Sequence, residues 1–164
     1  MERKAEFTKI FDAYYPKVFR LCKGYFNGDE QLALDTSQEV FLKVWENINS
    51  FKQDSELGTW IYKIAVNTCL MQIRKDNSRK EKNFTPFFQL LSENYSYEEE
   101  LKIKKMYDCI QKLDERGKVI ILMVLDEVPY PQIAKIIGIK EDALRVNIHR
   151  IKKKLTLCVQ NGEV

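Results

Sequence analysis

Apolar residues recur every three to four positions along most of this chain, and almost nowhere do they alternate with period two. That spacing predicts helices throughout and no long strand. Phe7, Ile10, Phe11, Tyr14, Val18, Cys22 and Tyr25 share one face of a first helix over residues 4–26. Pro16 falls inside it and predicts a kink, because proline has no N–H to give to the preceding turn. Asn27-Gly28-Asp29 reads as a turn. Ala33, Val40, Phe41, Val44, Trp45 and Ile48 define a second helix over 30–48, with Asp35, Gln38, Glu39, Lys43 and Glu46 on its other face. A loop from Asn49 to Glu56 leads to a third helix over 57–75 that buries Leu57, Ile61, Ile64, Ala65 and Thr68. Three such helices can close a small bundle.

The pattern lapses from Asp76 to Tyr97. This stretch is polar, holds Pro86 and reads as a linker, though Phe84, Phe87, Phe88, Leu90 and Leu91 suit packing of part of it. Glu98 to Glu100 open a further helix, since acids in a first turn suit the helix dipole, with Ile103, Met106, Tyr107 and Ile110 inside. Residues 115–127 are apolar nearly all round, which predicts a helix buried on every side.

Residues 129–155, PYPQIAKIIGIKEDALRVNIHRIKKKL, carry the most functional information. Pro131 fits the first position of a short helix, where its missing N–H costs nothing. Ile133, Ile136 and Ile137 give that helix an apolar face, and Ala134 lets a second helix approach. Gly138 sits where the chain must turn, and Ile139 plugs the corner. Leu144, Ile148, Ile151 and Leu155 form the buried side of the second helix, for which Asp142 suits an N-cap. From Ala143 to Leu155 there are five Lys/Arg and no acid. A short helix, a tight turn and a basic second helix present side chains to the DNA major groove. Basic helices are often only solvated faces, but the Ala-x-x-x-Gly spacing, the apolar plugs and the cationic tail together favour DNA.

Composition narrows the class. The chain has 164 residues, 45% of them hydrophobic, enough for one domain or two small ones with a packed core. A net charge of only +3 hides strong segregation. Residues 27–57 hold seven Asp/Glu against two Lys, whereas residues 59–82 hold six Lys/Arg against Asp76 and Glu81. An acidic face and two basic segments suit two kinds of partner, a basic protein surface and a polyanion. Cys22, Cys69, Cys109 and Cys158 are widely spaced, without a Cys-x-x-Cys pair, and a single histidine excludes the usual zinc arrangements. Each lies near a helical apolar pattern, so buried, reduced thiols in a reducing cytosol are expected. The polar start MERKAEF is unlike a signal peptide, and the longest apolar run, Val119 to Leu125, is too short to span a bilayer.

Four stretches, in order, are similar to an extracytoplasmic-function (ECF) RNA polymerase sigma factor: FDAYYPKVFRLCKGYF, DTSQEVFLKVWENINSF, GTWIYKIAVN and LDERGKVIILMVLDEVPYPQIAKIIGIKEDALRVNIHRIKKKL. The resemblance implies an all-α protein of two small helical domains joined by a flexible linker, the C-terminal one a helix-turn-helix. Residues 1–76 would be a sigma region 2-like domain, 77–100 the linker and 101–164 a region 4-like domain. The first would bind the clamp coiled coil of the β′ subunit of core RNA polymerase, then melt and read the minus-ten promoter element. The second would bind the β flap and read the minus-thirty-five element. A bacterial cytoplasmic protein is implied, with core polymerase, promoter DNA and an anti-sigma factor as partners. No cofactor, metal, small-molecule substrate or catalytic chemistry is expected, because the polymerase makes the bonds.

The resemblance assigns Asp35, Gln38 and Glu39 to the polymerase contact, and spacings of three and four put them on one helix face. Minus-ten candidates are Phe51, Trp60, Tyr62, Lys63, Asn67 and Arg74. An extruded base needs an aromatic wall and polar groups at its edge. Phe51 and Trp60 suit either that wall or the bundle core, the commoner use of a large aromatic at helical spacing. The loop residues Asn49, Ser50, Gln53, Asp54 and Ser55 are possible edge readers. Lys63, Asn67 and Arg74 share a face; Asn can pair a base edge while the cations take phosphates. Minus-thirty-five candidates are Lys140, Arg145, Asn147, His149, Arg150, Lys152 and Lys153, with Arg145 the best placed for a guanine. Asn147 departs from the family's frequent Arg and Val146 from a small polar residue, which leaves the exact element open. The rival is a stand-alone helix-turn-helix regulator, which explains residues 129–155 but neither DTSQEVFLKVW nor GTWIYKIAVN. A helical interaction module without DNA binding is a further alternative.

Overall fold

The fold is that of a computed structural model, which describes residues 1–52, 56–76 and 96–161, with backbone only for 73–76. The described residues form seven α-helices and one 3-10 turn, with no strand among them. The helices are α1 (Glu2–Tyr25), α2 (Glu30–Asn47), α3 (Leu57–Asp76), α4 (Tyr97–Gln111), α5 (Glu115–Leu125), α6 (Tyr130–Ile137) and α7 (Glu141–Asn161). The stretch read as a linker and its aromatic residues fall largely outside the described residues.

The first three helices pack on one another. Val18 and Cys22 of α1, Ala33, Val40 and Val44 of α2, and Ile61, Ala65 and Cys69 of α3 are wholly excluded from solvent. Aromatic rings extend this core: Phe7 meets Trp45 edge-on at 5.0 Å and Phe11 meets Phe41 at 4.9 Å between centroids. Asp29 caps α2, its carboxylate accepting the Leu32 N–H at 3.0 Å. Helix α1 runs on through Pro16 as one helix. Pro16 and Asp12, four residues before it, are both exposed, so water can take the carbonyl that lost its partner.

In the second group, Ser96 and Glu99 form a capping box at the start of α4, and Asp114 caps α5 by accepting the Gly117 N–H at 2.9 Å. Proline at 131 lies one position further into α6 than expected, because the helix already begins at Tyr130. Gly138 has φ +80 and donates its N–H to the Ala134 carbonyl at 2.8 Å, the left-handed turn that its place in the sequence suggested. Asp142 is not an N-cap: α7 starts at Glu141, which puts Asp142 in the first turn. Leu144, Ile148, Ile151 and Leu155 are buried.

The expectation of four reduced thiols is corrected here. Cys109 of α4 and Cys158 of α7 form a disulfide, because the packing of α4 on α7 brings together residues 49 apart in the chain. Cys22 and Cys69 are free and buried, with their sulfurs 3.7 Å apart. The hydrogen bond they share, added to burial, pushes the Cys69 thiol up from its ordinary value.

Two substitutions separate packing from turn chemistry. Ile133 is wholly buried, so Ile133→Ala is expected to cost about 2–5 kcal/mol. Gly138 has open space around a would-be Cβ, so Gly138→Ala is expected to cost only the left-handed strain, about 1–2 kcal/mol. Denaturant midpoints at an unchanged m-value check both, and a larger loss for the glycine than for the isoleucine would overturn the assignment.

Candidate nucleic-acid and polymerase interfaces

The outer side of α2 is a polar stripe. Asp35 and Gln38 are exposed and Glu39 is partly so. Asp35 accepts from the Gln31 amide at 2.9 Å. Glu39 is held more firmly: it pairs with Lys43 at 3.0 Å and accepts from Gln72 of α3 at 2.9 Å. Leu42, 62% exposed, continues this stripe three residues beyond Glu39. Sequence reasoning missed it, since a leucine at helical spacing ordinarily reads as core. Carboxylates around an exposed leucine form a surface that can pair with cations and cover one apolar side chain.

At the start of α3, Phe51 and Trp60 lie 4.9 Å apart between ring centroids, and both are half-buried. Asn49 and Ser50 are exposed, and the Ser50 hydroxyl donates to the Asn47 carbonyl at 2.8 Å. Gln53, Asp54, Ser55 and the Arg74 side chain lie outside the described residues. Lys63 and Asn67 are exposed, four residues apart on one face. Tyr62 is buried instead, and its hydroxyl donates to Asp126, just beyond α5, at 3.3 Å.

That hydrogen bond belongs to a seam between the two helix groups. Arg20 of α1 donates to Asp126 at 2.9 Å. Gln111 of α4 donates to the Gly24 carbonyl at 2.9 Å. Gly24 admits α5 closely: a Cβ there would stand 2.7 Å from a methyl of Leu122. Lys118, nearly buried, places its ammonium 5.1 Å from the centre of the Tyr25 ring, and burial pulls its pKa down. Further along, Asn67 opens onto a cleft of about 490 Å³ whose other walls include Glu115, Arg116 and Ile137. Of the α3 residues read as a DNA contact, Asn67 is therefore beside α5 and α6, while Lys63 is exposed.

On α7 the cations face water. Arg145, His149, Arg150, Lys152 and Lys153 are exposed, as is Lys140 before the helix, and Asn147 is partly so. Arg145 is pre-oriented: its guanidinium pairs with Glu141 at 2.8 Å and lies 5.2 Å from the centre of the Tyr130 ring. The role of Tyr130 as a support depends on how α6 crosses α7, which the sequence alone does not display.

An acidic stripe on one helical bundle and a helix-turn-helix with a cationic outer face are together the layout of a sigma-70-type initiation factor. Residues 10–79 match the Sigma-70 region 2 family, and residues 103–155 match the Sigma-70, region 4 family. The ECF RNA polymerase sigma-E factor of Escherichia coli K12 is 31% identical over 169 residues, covering 94% of this chain and 86% of that protein. The ECF RNA polymerase sigma factor SigW of Bacillus subtilis is 27% identical over 162 residues, covering 91% and 86%. The chain belongs to the ECF family of sigma factors, which direct promoter-specific transcription initiation.

Two solved structures share the fold. The sigma factor RpoE in complex with the anti-sigma factor NepR from Bartonella quintana aligns with a TM-score of 0.72 at 17% identity, over 95% of this chain and 98% of that one. CnrH in complex with the cytosolic domain of CnrY aligns at 0.69 and 16%, over 96% and 89%.

The seam makes stability sensitive to alkali. Burial pushes both the Tyr25 and the Tyr62 hydroxyls well above the ordinary tyrosine range, helped by Glu115 for the first and Asp126 for the second. A raised value means that the folded state prefers the neutral phenol. That contribution is complete below pH about 10 and is lost as pH rises from there toward the folded values. Unfolding midpoints are expected to fall above that pH, and less steeply in Tyr62→Phe. The Tyr25 hydroxyl is buried with no hydrogen-bond partner among the described residues. Tyr25→Phe should therefore cost little at neutral pH, and a large loss there would show that the hydroxyl is satisfied after all.

Proposed function

We propose that residues 1–76 bind core polymerase and handle the minus-ten element, and that residues 101–164 read the minus-thirty-five element, with 77–100 as the connection. The observation that carries this reading is the simultaneous exposure, in one chain, of the Asp35–Gln38–Leu42 stripe and of the cationic side of α7. The stripe has the charge and shape to meet a basic coiled coil such as the β′ clamp. Glu39 serves both as a contact and, through Gln72, as a tie between α2 and α3.

On DNA, Phe51 and Trp60 supply an aromatic wall beside the Asn49 loop, Lys63 and Arg74 take phosphates, and Asn67 reads a base edge. Tyr62 becomes available only when its bond to Asp126 opens. Arg145 reads a guanine, Asn147 a neighbouring base, and Lys140, His149, Arg150, Lys152 and Lys153 hold the backbone. Because Asn67 faces α5 and α6 here, promoter binding requires the helix groups to part. The closed arrangement suits capture by an anti-sigma partner, a reading supported by the partners named for the two solved relatives in fold. The protein acts in the cytoplasm, where the polymerase works, and contributes no bond-making step of its own.

A reconstituted assay tests this. Core polymerase, the purified chain and a promoter fragment from upstream of its own gene should give specific transcripts. Asp35→Lys with Glu39→Lys should abolish both transcripts and polymerase binding. If the wild-type chain fails to bind compatible core enzymes yet shifts duplex DNA alone, the stand-alone regulator takes over. Arg145→Ala is expected to cost about 1–3 kcal/mol of discrimination at one base pair. Lys152→Ala should weaken all sequences alike and lower the salt slope by about one. Competition binding across promoter variants and salt concentrations separates the two effects.

A further inference from the structure

We propose that the Cys109–Cys158 disulfide is a reversible thiol switch that governs how firmly α4 is held to the helix-turn-helix unit. The bond joins α4 to the last turn of α7, and the ring it closes runs from residue 109 to residue 158. That ring contains all of α5 and α6 and the whole recognition segment of α7. What lies outside it in this group is most of α4. The only buried residues of α4 are Cys109 and Ile110, with Ile103, Met106 and Tyr107 half-covered. One of α4's two buried anchors is thus the disulfide itself. Reduction leaves the reading residues on a packed helix and loosens α4.

Position and pairing both favour a working switch. Both cysteines are buried in the folded chain, and Cys158 lies three residues before Asn161 of α7, in its last turn. Helix ends open locally far more often than whole domains unfold, so a reductant can reach the sulfurs without global unfolding. The other two cysteines are mutual neighbours in the first helix group, which leaves each cysteine one partner. Resting on the cytoplasmic reading above, a disulfide in that compartment is conditional rather than permanent. In the reducing direction a dithiol reductant attacks, forming a mixed disulfide. The Cys109–Cys158 bond breaks, the reductant's own S–S bond forms, and two electrons and two protons end on the cysteine sulfurs. In the oxidising direction a peroxide takes two electrons and two protons from the thiols and leaves as two waters.

The full-length protein, treated with hydrogen peroxide or dithiothreitol and then alkylated, is digested with trypsin. Peroxide should give a linked pair of the peptides Met106–Lys112 and Leu155–Val164, and dithiothreitol should give the two separately alkylated. In native limited proteolysis, cleavage after Lys102 and Lys105 should rise at least about tenfold on reduction, as expected when cleavage follows local opening. The double variant Cys109→Ser, Cys158→Ser should match the reduced rate and no longer respond to reductant, which separates this pair from Cys22 and Cys69. Absence of the linked peptide in folded, peroxide-treated protein overturns the proposal. So does an unchanged cleavage rate on reduction of the wild type, whatever the variant does. Neither readout depends on polymerase or DNA, so a failed transcription assay would leave this result standing.

Discussion

Helix α5 is buried over two unbroken turns, and that single fact organises the molecule. Its residues from Gly117 to Met123 are buried without interruption. Helices α4, α6 and α7 are short or one-faced and cover only part of it. The remaining side is covered by α1, at the point where Gly24 lets Leu122 approach. Exposing that side of α5 would return a strip of leucine and methionine to water, at roughly 25 cal/mol per Å². The two helix groups meet because one of them cannot finish its own core.

On the function proposed above, this coverage has a cost: Asn67 of α3 lines a cleft shared with α5 and α6, so the contact that stabilises the free chain competes with use of that residue. The charged parts of the seam are modest: Arg20 is exposed, and an exposed ion pair such as Arg20–Asp126 contributes little alone. The apolar contact stabilises the seam more, and the polar groups set its register. A binding partner that offers equivalent apolar cover can replace it. Asp35 and Gln38 of α2 and the cations of α7 are exposed while the seam is closed.

Much of the layout of the candidate site was legible because charge and spacing act locally. Three residues at helical spacing share a face whatever the helix packs against, so Asp35, Gln38 and Glu39 could be placed together in advance. The same holds for the cationic positions of α7 and for Gly138, whose turn demands a left-handed backbone. Where sequence reasoning went astray, a long-range contact was responsible. Pro16 does not end α1, because the residues on both sides of it are packed into one core. Cys109 and Cys158 are bonded, because α4 and α7 are neighbours in space. Leu42 went unread, because its exposure depends on which of the described helices pack beside α2.

By itself the sequence determined the all-helical class, the order of the elements, the helix-turn-helix and which faces carry charge. Each of these follows from periodicity, capping and turn chemistry within a few residues. The tertiary structure alone decided that Tyr62 points into a seam rather than at solvent, that Asn67 lines a cleft, and which cysteines meet. Those outcomes depend on which apolar surfaces remain uncovered after local folding and on which distant helix is shaped to cover them. A chain of amino acids states its local preferences directly, but it states its long-range matches only through packing.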